Sequence, residues 1–110
     1  MGKVTRRSFR RAGRLVPPSA VGLRARSVRL ARGAVMPWHS TDGREELLLV
    51  LAGHVRLEFQ TGQGRVRRLI VRAGQCAFLS AQTLHQVVNP SGAPANYLYV
   101  TAPRLRYTCG

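Results

Sequence analysis

Three side chains that can bind a metal ion stand near turns of this 110-residue chain. His39 and Glu46 flank the dipeptide Asp42-Gly43, and His85 follows a second turn into an apolar segment. An Asp-Gly pair in a two-residue loop favours a type I′ hairpin, which would place His39 opposite Glu46 with Cβ atoms about 5 Å apart. Imidazole and carboxylate are common ligands of divalent metals, so this pair indicates a metal site with His85 as the candidate third ligand. A hydrogen-bonded structural pair is the alternative interpretation.

The elements that must position these residues have the pattern of strands. From Val21 onward, short runs rich in Val, Leu and Phe are separated by Gly, Pro and Asn about every ten residues, which is typical of an all-β sandwich or barrel. Leu47 to Leu51 is apolar on both faces, which predicts a strand covered on two sides, on one of them by the partner in a homodimer. The predicted strands are Leu23–Leu30, Ala34–Thr41, Glu45–Leu51, His54–Phe59, Val66–Val71, Gln75–Leu79, Leu84–Val88 and Tyr97–Thr101.

The charge of the chain is strongly unbalanced. There are 18 Lys and Arg against 4 Asp and Glu, a net charge of +14. A charge of this size attracts nucleic acid, anionic lipid or acidic ligands, but it does not determine a fold. Residues 3–14 are basic and lack apolar periodicity, so we predict a basic N-terminal arm over residues 1–20 and one folded domain over residues 21–110. Binding of nucleic acid through the arm is not the favoured interpretation, because only Phe9 interleaves with its bases.

Several functional classes are excluded by the pattern of residues. The chain has no Ser-His-Asp set, no phosphate-binding glycine loop and no paired cysteines with zinc-site spacing. No apolar run approaches the ~18 residues of a membrane-spanning helix. Residues 5–11 resemble a twin-arginine export pattern, but neither an apolar segment nor a small-residue cleavage site follows. We therefore expect a cytoplasmic protein that does not bind a membrane.

Two motifs in the sequence resemble those of the cupin family. The stretch Gly33-x5-His39-x-Thr41-x4-Glu46-x6-Gly53 is similar to the first cupin motif, G-x5-H-x-H-x3,4-E-x6-G. The stretch Gly74-x5-Ser80-x-Gln82-x2-His85-x3-Asn89 is similar to the second, G-x5-P-x-G-x2-H-x3-N. The resemblance extends over residues 23–101 and implies an all-β, single-domain double-stranded β-helix, also called a jelly-roll or cupin barrel.

The resemblance also implies a cofactor and its ligands. In cupins the matching positions hold a divalent transition metal, so His39, Glu46 and His85 are the implied ligands of Fe, Mn, Ni or Zn. Thr41 stands where the family has a second histidine in the first motif. The implied set of two histidines and one carboxylate is similar to a facial iron triad and to three-ligand zinc sites.

The implied function is the binding or conversion of a small anionic organic molecule at this metal. If the chain is an enzyme, the family resemblance implies a metal-dependent dioxygenase, isomerase or decarboxylase. The alternative is a non-catalytic cupin that binds or senses a small ligand without metal. Five residues are candidates for contact with the small molecule: Thr41, Gln82, Phe78, Tyr97 and Tyr99.

Overall fold

The structure is a computed structural model that describes residues 2–105, and these residues form nine β-strands and no helix. No helix long and apolar enough to cross a membrane is found in this part of the chain. All eight predicted strands are present, with ends shifted by up to two residues. The strands are β1 (Gly13–Arg14), β2 (Arg24–Leu30), β3 (Val35–Ser40), β4 (Arg44–Ala52), β5 (His54–Gln60), β6 (Val66–Arg72), β7 (Cys76–Leu79), β8 (Leu84–Val88) and β9 (Ala95–Pro103).

The strands form two antiparallel sheets that pack face to face. One sheet has the order β1-β2-β9-β4-β7 and the other the order β3-β8-β5-β6. Apolar side chains from both inner faces form one core, which includes Leu48 and Tyr97 of the first sheet and Val55 and Val87 of the second. Since successive side chains on a strand point to opposite faces, the alternation in His54–Gln60 explains why Val55 and Leu57 are buried there.

The predicted hairpin around Asp42-Gly43 is wrong. Strand β3 pairs with β8, whereas β4 pairs with β7 and β9, so the two strands that flank the turn lie in different sheets. Asp42 has a positive φ of 52°, but Gly43 does not have one, whereas a type I′ turn needs positive φ at both central residues. The turn therefore carries the chain from one sheet to the other.

The outer face of the five-stranded sheet is apolar at its centre. Leu47 lies between Phe78 of β7 and Val100 of β9 in the register, and Phe78 is 63% exposed. The predicted homodimer stays a prediction, and this face is where it would form. Nucleic-acid binding by the arm, the cytoplasmic location and the division at residue 20 also stay predictions, and residues 106–110 of the predicted domain lie outside the described residues.

Candidate metal centre and its cavity

Two histidines face each other on paired strands, with His39 exposed and His85 buried. Strands β3 and β8 are antiparallel neighbours, and His39 is the register partner of His85. Their ring centroids lie 4.2 Å apart with the planes inclined by 57°. The sequence separates these residues by a long stretch of chain, and only the pairing of β3 with β8 brings the imidazoles together.

Each imidazole is oriented by a backbone carbonyl. His39 Nδ1 lies 2.7 Å from the Pro37 carbonyl oxygen, and His85 Nδ1 lies 3.0 Å from the Thr83 carbonyl oxygen. A neutral imidazole that donates through Nδ1 keeps its lone pair on Nε2, which is the arrangement that metal-binding histidines commonly show. His85 is 1% exposed, and its Nε2 is the buried side-chain nitrogen within residues 2–105 that lacks a hydrogen-bond partner.

Glu46 approaches the histidines from the opposite sheet. It lies on β4 and is buried, and its Oε2 is 3.8 Å from His85 Nε2. Glu46 lines the same small cavity as His39 and His85. The two predicted first-motif ligands thus meet across the sandwich, because the inner faces of the sheets oppose each other, and not as neighbours within a hairpin.

Burial is the main influence on the protonation of Glu46 and His85. Burial raises the pKa of Glu46, and the charge of His39 has a smaller effect that lowers this pKa. Burial lowers the pKa of His85, an effect that the hydrogen bond to the Thr83 carbonyl opposes and the charge of His39 reinforces. A buried imidazole that stays neutral keeps the lone pair that metal binding requires.

The donor chemistry at this position fits a divalent metal, although the side chains are not closed around one. Within the described residues, no group of three or more His, Cys, Asp or Glu side chains is spaced to hold a metal ion. The unpartnered His85 Nε2 is the observation in favour of the fit, since a buried polar atom without a partner is costly unless something binds it. Two imidazole nitrogens and one carboxylate are ligands that Fe, Mn, Ni and Zn accept.

The hydroxyl of Thr41 makes two structural hydrogen bonds. It donates to the Ser80 carbonyl oxygen at 2.8 Å and accepts from the Thr83 backbone N–H at 3.0 Å. These two bonds hold the β3–β4 turn against the loop that precedes β8, and β8 carries His85. Thr41, which replaces the second histidine of the first motif, therefore helps to position His85 through this loop. Its hydroxyl hydrogen is used in the bond to the Ser80 carbonyl.

A small inner chamber surrounds the candidate ligands. It has a volume of about 50 Å³, and its walls include Met36, Leu48, Val87, Tyr97 and Tyr99. This volume suits an ion or one or two waters, at about 30 Å³ of liquid volume per water, and it is too small for an organic substrate. Burial, followed by the charges of Tyr99 and Glu46, raises the pKa of Tyr97, so its phenol stays protonated.

A much larger outer cavity adjoins the inner chamber. Its volume is about 630 Å³, and it shares His39, Glu46 and Tyr99 with the chamber. Pockets for small organic ligands commonly measure about 300–1,000 Å³. A molecule in the outer cavity would therefore reach the candidate metal ligands at its inner end.

The chain before β2 forms one wall of the outer cavity, which the sequence analysis did not predict. We call residues 14–23 the strap, and six of its apolar residues line the cavity: Val16, Pro17, Pro18, Ala20, Val21 and Leu23. Two hydrogen bonds hold the strap to the sheets, one from the Leu15 N–H to the Ala25 carbonyl and one from Arg44 to the Gly22 carbonyl. The two prolines and the apolar residues after Arg14 were the available signal.

The structure brings two of the five predicted contact residues directly to the inner chamber, namely Tyr97 and Tyr99. Thr41 lines the outer cavity. Phe78 does not reach either cavity, because Ala77 and Leu79 take the inward positions of the short strand β7 and turn Phe78 outward. Gln82 is exposed in the loop before β8, where its backbone N–H donates to the Asp42 carbonyl oxygen. Contact of Phe78 or Gln82 with a small molecule stays a prediction that neither cavity supports.

The raised pKa of Glu46 predicts how stability changes with pH in the metal-free protein. A carboxyl whose folded pKa is raised favours folding below its unfolded pKa, and this contribution is lost as the pH rises through the folded pKa. We expect Glu46→Gln to be more stable than the wild type by roughly 1 kcal/mol at pH 7.5, with the difference shrinking toward pH 4.5. Chemical unfolding of chelator-treated protein at several pH values measures this difference. A Gln variant less stable at pH 7.5 would contradict the burial argument.

Comparison with known proteins agrees with the two sequence motifs. The sequence model of the cupin domain matches residues 26–101, which is more than half of the chain. No match is found among curated proteins.

Solved structures show the same fold at low sequence identity. One from Thermus thermophilus is 24% identical, with 92% of this chain and 91% of that chain covered and a TM-score of 0.69. An RmlC-like cupin from Methanocaldococcus jannaschii is 17% identical, with 84% and 78% covered and a TM-score of 0.69. An oxalate oxidase in complex with the substrate analogue glycolate is 19% identical, with 74% of this chain covered and a TM-score of 0.70. The match spans only 42% of the oxalate oxidase chain.

Proposed function

Because this chain belongs to the cupin family, we propose that His39, Glu46 and His85 bind a divalent transition metal that acts on a small organic anion. The observation that carries the proposal is the unpartnered Nε2 of His85, buried 3.8 Å from the Glu46 carboxylate. Fe, Mn, Ni and Zn all accept this donor set. One structure of the same fold, an oxalate oxidase, is in complex with glycolate, which belongs to the proposed substrate class.

Each protein group has a defined part in this proposal. The carbonyls of Pro37 and Thr83 hold the two imidazoles by Nδ1, which leaves each Nε2 as the ligating atom. The carboxylate of Glu46 offsets the charge of the cation in a chain that is otherwise strongly basic. When bound, the metal supplies a Lewis acid for the substrate oxygen or a centre for oxygen activation.

The cavities divide binding between two compartments. The organic part of the substrate occupies the outer cavity, and its reacting end enters the inner chamber beside His39 and Glu46. Tyr97 and Leu48 exclude water from the inner end of the chamber. Tyr99 lines both compartments, so its phenol is placed to contact the substrate at their junction. Dioxygenase, isomerase and decarboxylase reactions all fit this division.

The test is elemental analysis of the purified protein after reconstitution with Fe, Mn, Ni or Zn. We expect close to one metal per chain in the wild type and at least about a tenfold lower content in Glu46→Gln, since even supporting residues of metal sites change affinity by 10–100-fold. Glu45→Gln is the matched control, because Glu45 is the exposed neighbour on the same strand and should retain its metal. A wild type that binds none of the four metals would contradict the proposal and favour a metal-free ligand-binding cupin.

A further inference from the structure

Arginines outnumber carboxylates in the lining of the outer cavity. Four arginines and two carboxylates contribute to its walls: Arg14, Arg24, Arg26, Arg44, Asp42 and Glu46. Two of the arginines lie on β2 and share the inner face of the sheet. Arg24 is the register partner of Thr101 and Arg26 that of Tyr99, and both partners line the same cavity.

Arg44 is occupied by structural contacts. Its Nε donates to the Thr101 hydroxyl at 2.8 Å, and its terminal nitrogen donates to the Thr101 carbonyl at 3.0 Å and to the Gly22 carbonyl of the strap. Burial, with the nearby charge of Arg24, lowers the pKa of Arg44. Arg44 therefore holds the strap against the sheet. Binding of a ligand anion falls to the other arginines of the cavity.

Within the part of the chain that the structure describes, the side chains of Arg24 and Arg26 make no hydrogen bond of this kind. The ion pairs between arginine and carboxylate within residues 2–105 are Arg56–Glu58 and Arg68–Glu58, so neither Arg24 nor Arg26 has a carboxylate partner there. Both side chains are exposed to solvent on the cavity side of β2. Two guanidinium groups on one wall, with a third charge at Arg44 beside them, give that wall a positive potential that attracts a small anion.

From this arrangement we infer that Arg24 and Arg26 form a binding subsite for the carboxylate of a small organic acid in the outer cavity. A guanidinium presents parallel N–H donors that match a carboxylate in a bidentate pair. The inference deepens the proposed function by assigning residues to the anionic end of its substrate. The subsite itself does not require the metal.

The position of the subsite limits the size of the ligand. Arg24, Thr101 and Glu46 are successive register partners across β2, β9 and β4. Adjacent strands lie about 4.8 Å apart, so the backbones of Arg24 and Glu46 are about 10 Å apart. A short carboxylic acid can therefore contact the arginines with one end and the inner chamber with the other.

The experiment is calorimetric titration of the full chain with succinate, acetate and inorganic phosphate, in chelator-treated and metal-reconstituted samples. We expect Arg24→Gln and Arg26→Gln each to weaken succinate binding at least tenfold. Arg29→Gln is the matched control, since Arg29 lies on the same strand but points to the opposite face, and it should change affinity less than twofold. All three variants lower the net charge by the same amount, so a loss due to overall charge would be equal in all of them.

Several results would overturn the inference. These are equal effects in the three variants, no succinate binding by the wild type at 10-fold molar excess over a millimolar protein sample, or phosphate binding tighter than both carboxylates. Metal content is measured in the same samples. Arg24→Gln and Arg26→Gln should keep their metal, whereas Glu46→Gln should lose it and still bind succinate in the chelated state. Failure of the metal proposal and failure of the subsite therefore give different outcomes.

Discussion

His85→Ala should lower the metal affinity of the protein at least about 100-fold, because it removes a proposed direct ligand, and loss of supporting residues alone costs metal sites 10–100-fold. His85 Nε2 is buried, unpartnered and directed toward Glu46, and the Thr83 carbonyl fixes the ring. We expect the same loss for His39→Ala. Competition titration with a chromogenic chelator measures the affinities.

The fold should survive these substitutions, which separates ligand loss from unfolding. Removal of the His85 ring leaves a cavity but also deletes an unsatisfied buried nitrogen, so the two effects on stability oppose each other. His54→Ala is the matched control, because His54 begins β5 and does not line either site cavity. Circular dichroism should show the same β spectrum in all three variants. Unchanged metal affinity in both His39→Ala and His85→Ala would refute the ligand assignment.

Asn89→Ala should destabilise the protein by about 3 kcal/mol, since each buried polar group left without a partner costs roughly 1–3 kcal/mol. Asn89 is fully buried after β8. Its amide nitrogen donates to the carbonyls of Leu30, Ala31 and Ala93 at 2.8–3.2 Å, and its Oδ1 accepts from the backbone and hydroxyl of Ser91. One side chain thus joins the end of β2, the turn before β3 and the loop before β9.

Urea unfolding of the metal-free protein measures this loss. Ser91→Ala is the comparison variant, because it removes the hydroxyl bond to Asn89 and two exposed hydroxyl bonds to Ala93, while the amide nitrogen of Asn89 keeps its carbonyl partners. We expect that variant to lose at most about 1 kcal/mol, the net value of an ordinary hydrogen bond. If Asn89→Ala lowers the free energy of unfolding by less than about 1 kcal/mol, the prediction is wrong and water replaces the amide.

The structure gives physical reasons for motif positions that the sequence showed only as a pattern. Gly53, the last residue of the first motif, has φ of 72°, and a Cβ there would lie 3.2 Å from the Pro94 carbonyl oxygen. Gln82 occupies the glycine position of the second motif and has φ of 61°, a left-handed conformation that is strained for residues other than glycine. Asn89, the last residue of the second motif, shares the two N–H donors of its amide among three carbonyls.

The prediction failed where it depended on which strands pair. The Asp42-Gly43 dipeptide is a strong local signal for a hairpin, yet β3 and β4 join different sheets. His39 and Glu46 still meet, because each lies on the inner face of its strand and the two faces oppose each other. The predicted boundary at residue 20 falls within the strap, and sequence alone did not show that the strap forms a cavity wall, since that role depends on contacts with β2 and β4.

The all-β class and the positions of the strands could be predicted from the sequence, and the spacing of two motifs indicated the cupin family and, through it, the three candidate ligands. These features depend on the period-two alternation and on motif spacing, which are properties of short segments. The tertiary structure alone decided that His39 pairs with His85, that Glu46 reaches them from the other sheet, and that Arg24 and Arg26 face the outer cavity. Strand partners are chosen by packing between distant segments, and alternation within one strand carries no information about its partner.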